Sequence, residues 1–160
     1  MPCYLLLVLL SVSFLSGVPS AAQADSYTFT TINFPGSPDT RAFKINNEGQ
    51  LVGWYNSGGF QHGFLYEADN FTTLDVPFAN AYYTDIAGIN NTGQMVGAYG
   101  TGGSTHGFLY GKNSFKKFDV PFPGVTATVP LGINDNGWIV GSYNDSTGEH
   151  GFLAIPKKDK

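Results

Sequence analysis

Three histidines, each followed by Gly-Phe-Leu, stand 44 residues apart in this sequence: His62, His106 and His150. Gathered around one axis, three imidazoles would form a zinc site of the three-histidine kind. The alternative is one structural histidine per copy of a repeat, bonded to a neighbouring strand or loop through one ring nitrogen. We favour the structural role, because a residue present in every copy of a repeat most simply serves that copy. We therefore expect neither a metal ion nor a cofactor.

Two aspartates also recur, Asp75 and Asp119, with Asn33 at the matching place in the first copy. A pair of carboxylates is the machinery of glycosidic hydrolysis. Here the first copy has lost the charge, and matching positions in successive units would lie far apart. We therefore assign no catalytic residue and predict that the aspartates bond backbone N–H groups at the turn before the next unit. The same logic predicts a set of turn residues: Asn46, Asn90 and Asn134.

Aromatic residues that occur in only one copy are freer to bind a ligand. Trp54 and Trp138 are of this kind, and Tyr82-Tyr83 is predicted to lie in a loop that differs among the copies. Recurring tyrosines are expected to pack between sheets with their hydroxyls at an edge. Beside Arg41, exposed rings would form a surface for carbohydrate stacking or protein binding; the alternative is that they complete apolar packing. The candidate ligand-binding residues are Arg41, Trp54, Tyr55, Tyr82, Tyr83, Tyr99, Trp138 and Tyr143.

The spacing that relates these residues belongs to a repeat that fills residues 25–160. Ile-Asn, Val-Gly and His-Gly-Phe-Leu each recur three times at intervals of 44. The units cover about 26–70, 71–114 and 115–155. Each divides into four short segments separated by Gly- and Asn-rich turns, and no window has sustained helical periodicity. We therefore predict one all-β domain of three four-stranded antiparallel repeats, twelve strands in all.

A four-stranded unit of about 44 residues has the size of a propeller blade. The small-residue strand Ile86–Ile89 would lie nearest the axis, and Phe115–Val120 at the rim. The segment Tyr27–Phe34 is predicted to be an outer strand, which the last unit lacks. Three blades are hard to close into a ring, so two chains are expected to combine into a six-bladed homodimer. The alternative is a β-trefoil, which also has three repeats of four strands and needs no partner.

Composition and the first residues indicate the compartment. The net charge is −4 with 12% charged residues, which argues against a nucleic-acid partner. The apolar run Tyr4–Leu15 precedes Ala22-Gln23-Ala24, the layout of a secretory signal peptide over residues 1–24. The run is too short to span a bilayer comfortably. Cleavage would remove Cys3 and leave an extracellular or periplasmic chain with no disulfide and no membrane span.

The order of these motifs resembles that of a known family. Gly88 to Gly97 reads Gly-Ile-Asn-Asn-x-Gly-Gln-x-Val-Gly, and His106 to Leu109 follows it. Together with Phe71 to Pro77, this pattern resembles the HAF-repeat family of bacterial extracellular proteins. The resemblance implies an exported bacterial protein with a repetitive, propeller-like β fold, and it brings no catalytic motif.

These observations favour a secreted, non-enzymatic binding or scaffold module for an extracellular glycan or protein ligand. The sequence contains no Gly-x-Ser-x-Gly nucleophile elbow, no phosphate-binding loop and no His-Glu-x-x-His motif. The alternative is a small extracellular enzyme acting on glycans, with its site at the centre of a dimeric ring.

Overall fold

The computed structural model describes residues 27–157; the predicted signal peptide lies outside them. Between these limits the chain is all-β, and no helix is present that could cross a membrane. The strands are β1 (Thr40–Ile45), β2 (Leu51–Ser57), β3 (Phe60–Glu67), β4 (Asn70–Thr73), β5 (Ala81–Ile89), β6 (Met95–Thr101), β7 (Ser104–Gly111), β8 (Ser114–Lys117), β9 (Ala127–Ile133), β10 (Ile139–Asp145) and β11 (Gly148–Ala154).

The strands form one open sheet made of three antiparallel groups, β1–β4, β5–β8 and β9–β11. Single parallel bridges join the groups, Gln61 to Tyr83 and Thr105 to Ala127. The all-β prediction is confirmed, but the described residues hold eleven strands rather than twelve. Residues 27–34 form no strand, contrary to the prediction for Tyr27–Phe34. An extended segment becomes a strand only where another strand bonds its N–H and C=O groups.

The Val-Gly pair of each copy has a backbone cause. In β6, a Cβ at Gly97 would collide with the carbonyl oxygen of Asp85 on β5. Gly53 and Gly141 face the same collision with the carbonyls of Arg41 and Val129. On the strand that pairs with each glycine, the register shifts within two residues of the glycine's partner, which marks a β-bulge. The carbonyl of the bulged strand therefore presses against the backbone of the glycine. Only glycine fits there.

The groups pack against one another through their inner strands. β2 contacts β5, and β6 contacts β9. Val52, Ile89 and Met95 share one apolar cluster between the first and second groups. The matching residues of the next copies, Val96, Ile133 and Ile139, form a second cluster. The 44-residue repeat therefore places the same apolar contact at each junction between groups.

A ladder of asparagines runs along these junctions. The Nδ2 group of Asn46 donates to the carbonyl of Asn90 at 3.1 Å, and that of Asn90 donates to the carbonyl of Asn134 at 3.0 Å. Each Oδ1 also accepts bonds from its own turn; Asn90, for example, accepts from the N–H groups of Thr92 and Gln94. The asparagines are thus turn residues, as predicted, and they also join consecutive groups.

Candidate functional site

A histidine and an aspartate form a hydrogen-bonded pair in each of the first two groups. The Nδ1 atom of His62 lies 2.7 Å from Oδ2 of Asp75, and that of His106 lies 2.9 Å from Oδ2 of Asp119. All four side chains are partly exposed. The predicted bond through one ring nitrogen is present, and its acceptor is the recurring aspartate.

The neighbouring strands position each pair. His62 lies on β3, and Asp75 follows β4, which is paired with β3. The second carboxylate oxygen of Asp75 accepts a bond from the N–H of Gly63 at 3.2 Å. The aspartate therefore does bond a backbone N–H, but that group lies on β3 and not in the turn before the next unit. This corrects the predicted place of the bond for Asp75, and for Asp119 as well, which bonds Gly107 on β7.

The pair determines which ring nitrogen can meet a ligand. A carboxylate only accepts hydrogen bonds, so the Nδ1–H of His62 donates to Asp75. In the neutral ring Nε2 is then an acceptor. The pair offers a ligand two kinds of acceptor, an imidazole nitrogen and a carboxylate oxygen, on a partly exposed surface.

A cavity of about 140 Å³ opens beside the first pair. Aromatic rings stand around it: Phe60 is 56% exposed and Tyr82 is 48% exposed. Tyr82 and Tyr83 meet edge to face, with ring centroids 5.3 Å apart. The residues lining the cavity are Phe60, Gln61, His62, Asp75, Val76, Ala81, Tyr82, Tyr83 and Thr84. We call it the first pocket.

The second pair has a matching cavity, of about 170 Å³, which we call the second pocket. Each residue of the first pocket has its counterpart 44 positions later in the second. The aromatic positions differ, because Ser104, Thr126 and Ala127 stand where the first pocket has Phe60, Tyr82 and Tyr83. Phe122 gives the second pocket an aromatic ring of its own. The two pockets therefore share one frame and differ in their aromatic walls.

The third histidine is bonded differently. Within residues 27–157, the Nε2 atom of His150 contacts Thr147 Oγ1 at 3.0 Å and Asp145 Oδ1 at 3.2 Å. The hydroxyl and backbone N–H of Thr147 bond the same carboxylate and lower the pKa of Asp145 to about 2. The third group has no fourth strand in the described chain, so no aspartate follows one there.

The structure divides the predicted ligand-binding residues among several places. Tyr82 and Tyr83 lie together at the first pocket, at the start of β5 and not in a loop as predicted. Tyr55 and Tyr99 are 6% and 0% exposed. Both pack in the core, as expected of the recurring tyrosines, so they do not belong to the predicted ligand-binding surface. Tyr143 is half-buried, with its ring 5.0 Å from that of His150.

The two tryptophans and Arg41 lie outside both pockets. The guanidinium of Arg41 on β1 stacks over Trp54 on β2, with Cζ 5.2 Å from the ring centroid. Trp138 is 42% exposed and lines a separate cavity of about 270 Å³, together with Lys44 and Val140. The structure therefore brings neither tryptophan to the His–Asp pairs.

Sequence reasoning missed three features of the region. Phe60 lies just before the recurring histidine, and Phe122 follows the recurring Pro121, so their spacing from known motifs could have indicated them.

Asp85 on β5 has a buried Oδ1 with no partner in the described chain. Burial raises the pKa of Asp85 to about 6, and the charge of Arg41 opposes that shift. No pattern marks Asp85, because the other copies have Arg41 and Val129 there.

The positions of the recurring histidines and aspartates also address two alternatives from the sequence, a zinc site and a pair of catalytic carboxylates. Across the described residues, no three His, Cys, Asp or Glu side chains are grouped as metal ligands. His62, His106 and His150 lie on the third strands of three different groups. Asp75 and Asp119 belong to separate pockets, each bonded to its own histidine.

Comparison of the chain with protein-family models, curated proteins and solved structures returned no match.

Proposed function

We propose that this protein is an exported carbohydrate-binding module that binds one sugar unit in the first pocket. The observation that carries the proposal is the juxtaposition of the exposed rings of Phe60 and Tyr82 with the His62–Asp75 pair. A sugar ring has an apolar face that stacks on aromatic rings and a rim of hydroxyls that donate hydrogen bonds. Gln61 adds amide donors to the acceptors of the pair.

The size and number of the pockets support a polymeric ligand. Ligand sites for drug-sized molecules measure about 300–1,000 Å³, whereas the first pocket measures about 140 Å³ and suits a single ring. The hydroxyl of Tyr83 in the first pocket bonds Thr105 of the second at 3.2 Å, so the two pockets adjoin. A polysaccharide could occupy both, and linked binding events strengthen one another.

The fold and compartment form part of the same proposal. The first and second antiparallel groups each contain four strands, as a propeller blade does, and the third contains three in the described chain. Successive groups contact one another through their inner strands. We place the chain among HAF-repeat-like extracellular proteins, on the recurring motifs and the signal-peptide pattern of residues 1–24. A trefoil is the less favoured arrangement, because its strands do not form three successive meanders in one sheet.

A glycan array followed by calorimetry tests the proposal. The second pocket supplies matched substitutions: Phe60→Ser and Tyr82→Thr each introduce the residue found at the equivalent position there. We expect each to weaken binding about fivefold or more, since an aromatic stacking contact contributes about 1 kcal/mol or more. Phe122→Ala, in the second pocket, is the control and should retain most of the affinity for a ligand of one sugar unit, which occupies the first pocket alone.

The outcomes separate the candidate functions. An array with no binding glycan contradicts the carbohydrate ligand. Binding that survives Tyr82→Thr but is lost in Phe122→Ala would place the site in the second pocket and contradict ours. Release of new reducing ends from a bound glycan would favour the glycan-active enzyme.

A further inference from the structure

The first and last groups each leave exposed the side chains that are buried at the junctions inside the chain. Ile89 and Ile133 are 2% and 8% exposed, whereas the matching Ile45 of the first group is 58% exposed. Val52 and Val96 are fully buried, whereas the matching Val140 of the third group is 49% exposed. We call the exposed side of β1 that carries Ile45 the first face. The exposed surface of the third group that carries Val140 and Leu153 is the last face.

The asparagine ladder has two open ends that complement each other. Each asparagine donates through Nδ2 to the carbonyl of the asparagine in the following group. Asn134 has no following group in the described chain to receive its bond. The carbonyl of Asn46, in turn, has no preceding group of strands within residues 27–157 to donate to it. The last face thus carries the donor, and the first face the acceptor, of one more bond of the same ladder.

The edge of β11 lacks a strand that the other groups possess. In the first group β4 pairs with β3 in the register Leu65 to Thr72, and the N–H of Leu74 bonds the carbonyl of Gly63 at 2.9 Å. β8 pairs with β7 in the same way. β11 pairs only with β10, so its outer N–H and C=O groups are left unpaired in the described chain. An exposed edge of this kind readily accepts another strand.

A glycine on β11 indicates that something fits against this edge. A Cβ at Gly63 would lie 2.6 Å from the carbonyl oxygen of Leu74, and one at Gly107 would collide with that of Phe118. At Gly151, the matching residue, the nearest atom is 4.0 Å away. Within residues 27–157 nothing requires a glycine there. The strand next to β11 would supply the carbonyl that makes it necessary.

The chain itself contains a segment with the sequence of that missing strand. Residues 29–35, Phe-Thr-Thr-Ile-Asn-Phe-Pro, match Phe71–Pro77, which includes β4 from its second residue onward and the following aspartate. The N–H of Phe34 bonds Thr40 Oγ1 at 2.9 Å, just as Val76 bonds Thr84 at 3.2 Å. The chain therefore enters β1 as it enters β5. The residues that precede the entry to β5 form β4, and β4 belongs to the preceding group of strands.

We propose that two copies of this chain associate head to tail, with residues 29–33 of each copy forming the fourth strand on β11 of the other. The first face of each copy then packs on the last face of the other. Every copy has one face of each kind, so two equivalent junctions close a ring of six groups around a two-fold axis. Asn33 of the second copy takes the place beside His150 and Gly151 that Asp75 holds beside His62 and Gly63. A third pocket is complete only in the dimer.

Mass measurement is the first test. The full chain is produced in a bacterial host that can export it, and the purified product is weighed by mass spectrometry and by multi-angle light scattering. We expect twice the covalent mass at micromolar concentration. A monomer at that concentration, or a polymer that grows with concentration, would overturn the proposal.

A glycine substitution tests the edge of β11. Gly151→Val adds a side chain where the isolated chain has room, so the circular dichroism spectrum should be unchanged while the dimer is lost. Gly111→Val is the matched control, because Gly111 lies on β7 with only an ordinary contact to Gln94. It should leave the dimer intact. A Gly151→Val dimer as tight as that of the unmodified chain would overturn the strand addition.

A designed disulfide tests the register and the identity of the partner. The pairing of Leu65 with Thr72 places Leu153 opposite Thr30 of the second copy. In a Cys3→Ser background, Thr30→Cys with Leu153→Cys should give a covalent dimer on a non-reducing gel, since directly opposed strand residues have the Cα separation that a disulfide needs. The register control, Thr30→Cys with Ile155→Cys, should give several-fold less. A disulfide within one chain, or none, would overturn the proposal.

Discussion

The side-chain Nδ2 of Asn90 donates to the backbone carbonyl of Asn134, its counterpart 44 residues later, over 3.0 Å. One residue thereby closes its own turn and also holds the next group of strands. Asn90 is 3% exposed, so the bonds are made where water cannot replace them.

Asn90→Ala should therefore cost more than the loss of an ordinary turn residue. It removes the bond to Asn134 and leaves the N–H groups of Thr92 and Gln94 without their acceptor. We expect the free energy of unfolding to fall by about 2–4 kcal/mol, at about 1 kcal/mol for each lost bond. Urea unfolding measures the change. The control is Asn70→Ala, because exposed Asn70 makes one bond to Ala68. Equal, small losses in both variants would contradict the dual role of Asn90.

The His62–Asp75 pair should set the tautomer of the histidine. Because the carboxylate accepts from Nδ1–H, we expect the neutral ring to be protonated on Nδ1. Nitrogen-15 chemical shifts at pH 8 report the tautomer directly. Asp75→Asn should move the proton population toward Nε2, which model imidazoles prefer, and should lower the stability by about 1 kcal/mol. Asp69→Asn is the control, since Asp69 bonds Tyr66 and not the histidine. An Nε2–H tautomer in the unmodified protein would contradict the assignment.

Asp85 should make stability fall as the pH rises. Burial raises its pKa from 3.8 to about 6, so the folded chain holds this proton more tightly than the unfolded chain. The contribution of Asp85 to stability is then greatest below pH 3.8, falls between about pH 4 and 6, and stays lower above that range. A shift of about two pKa units corresponds to about 3 kcal/mol.

Asp85→Asn removes this dependence. We expect the variant to be more stable than the unmodified protein at pH 7.5, by up to about 3 kcal/mol, and nearly equal to it at pH 4. Denaturant unfolding at the two pH values provides the measurement, with Asp69→Asn as an exposed control. A gain of the same size at both pH values would show that the proton linkage is absent.

Gly97 should be the least replaceable residue of the middle copy. A Cβ at Gly97 would collide with the carbonyl oxygen of Asp85, which is backbone and cannot move aside. Gly97→Ala should destabilise the fold by about 3 kcal/mol or more, because overpacking against a rigid neighbour forces the strands apart. Gly111→Ala, which has room for the methyl group, should change stability by about 0.5 kcal/mol or less. Thermal unfolding of the two variants tests the contrast, and equal melting temperatures would contradict it.

The repeat explains why so much of the local structure was predictable. Strands β5 and β8 overlap the predicted strands Ile86–Ile89 and Phe115–Val120, because alternating apolar residues and Gly- or Asn-containing turns act over a few residues. The bond of His62 through one ring nitrogen and the turn role of Asn90 were predictable for the same reason. The sequence predicts a loop for Tyr82 and Tyr83, since no local pattern indicates that β5 begins at Ala81.

The sequence by itself determined the all-β class, the 44-residue period and the positions of the turns, because these depend on neighbours along the chain. Only the tertiary structure decided that Tyr99 is core while Tyr82 lines a pocket, and that Asp75 bonds His62 and Gly63. It also decided that Ile45 and Val140 are exposed although their counterparts are buried. Identical motifs differ here because burial depends on which group of strands lies alongside, and in the described part of the chain the first and last groups each have a neighbour on one side only.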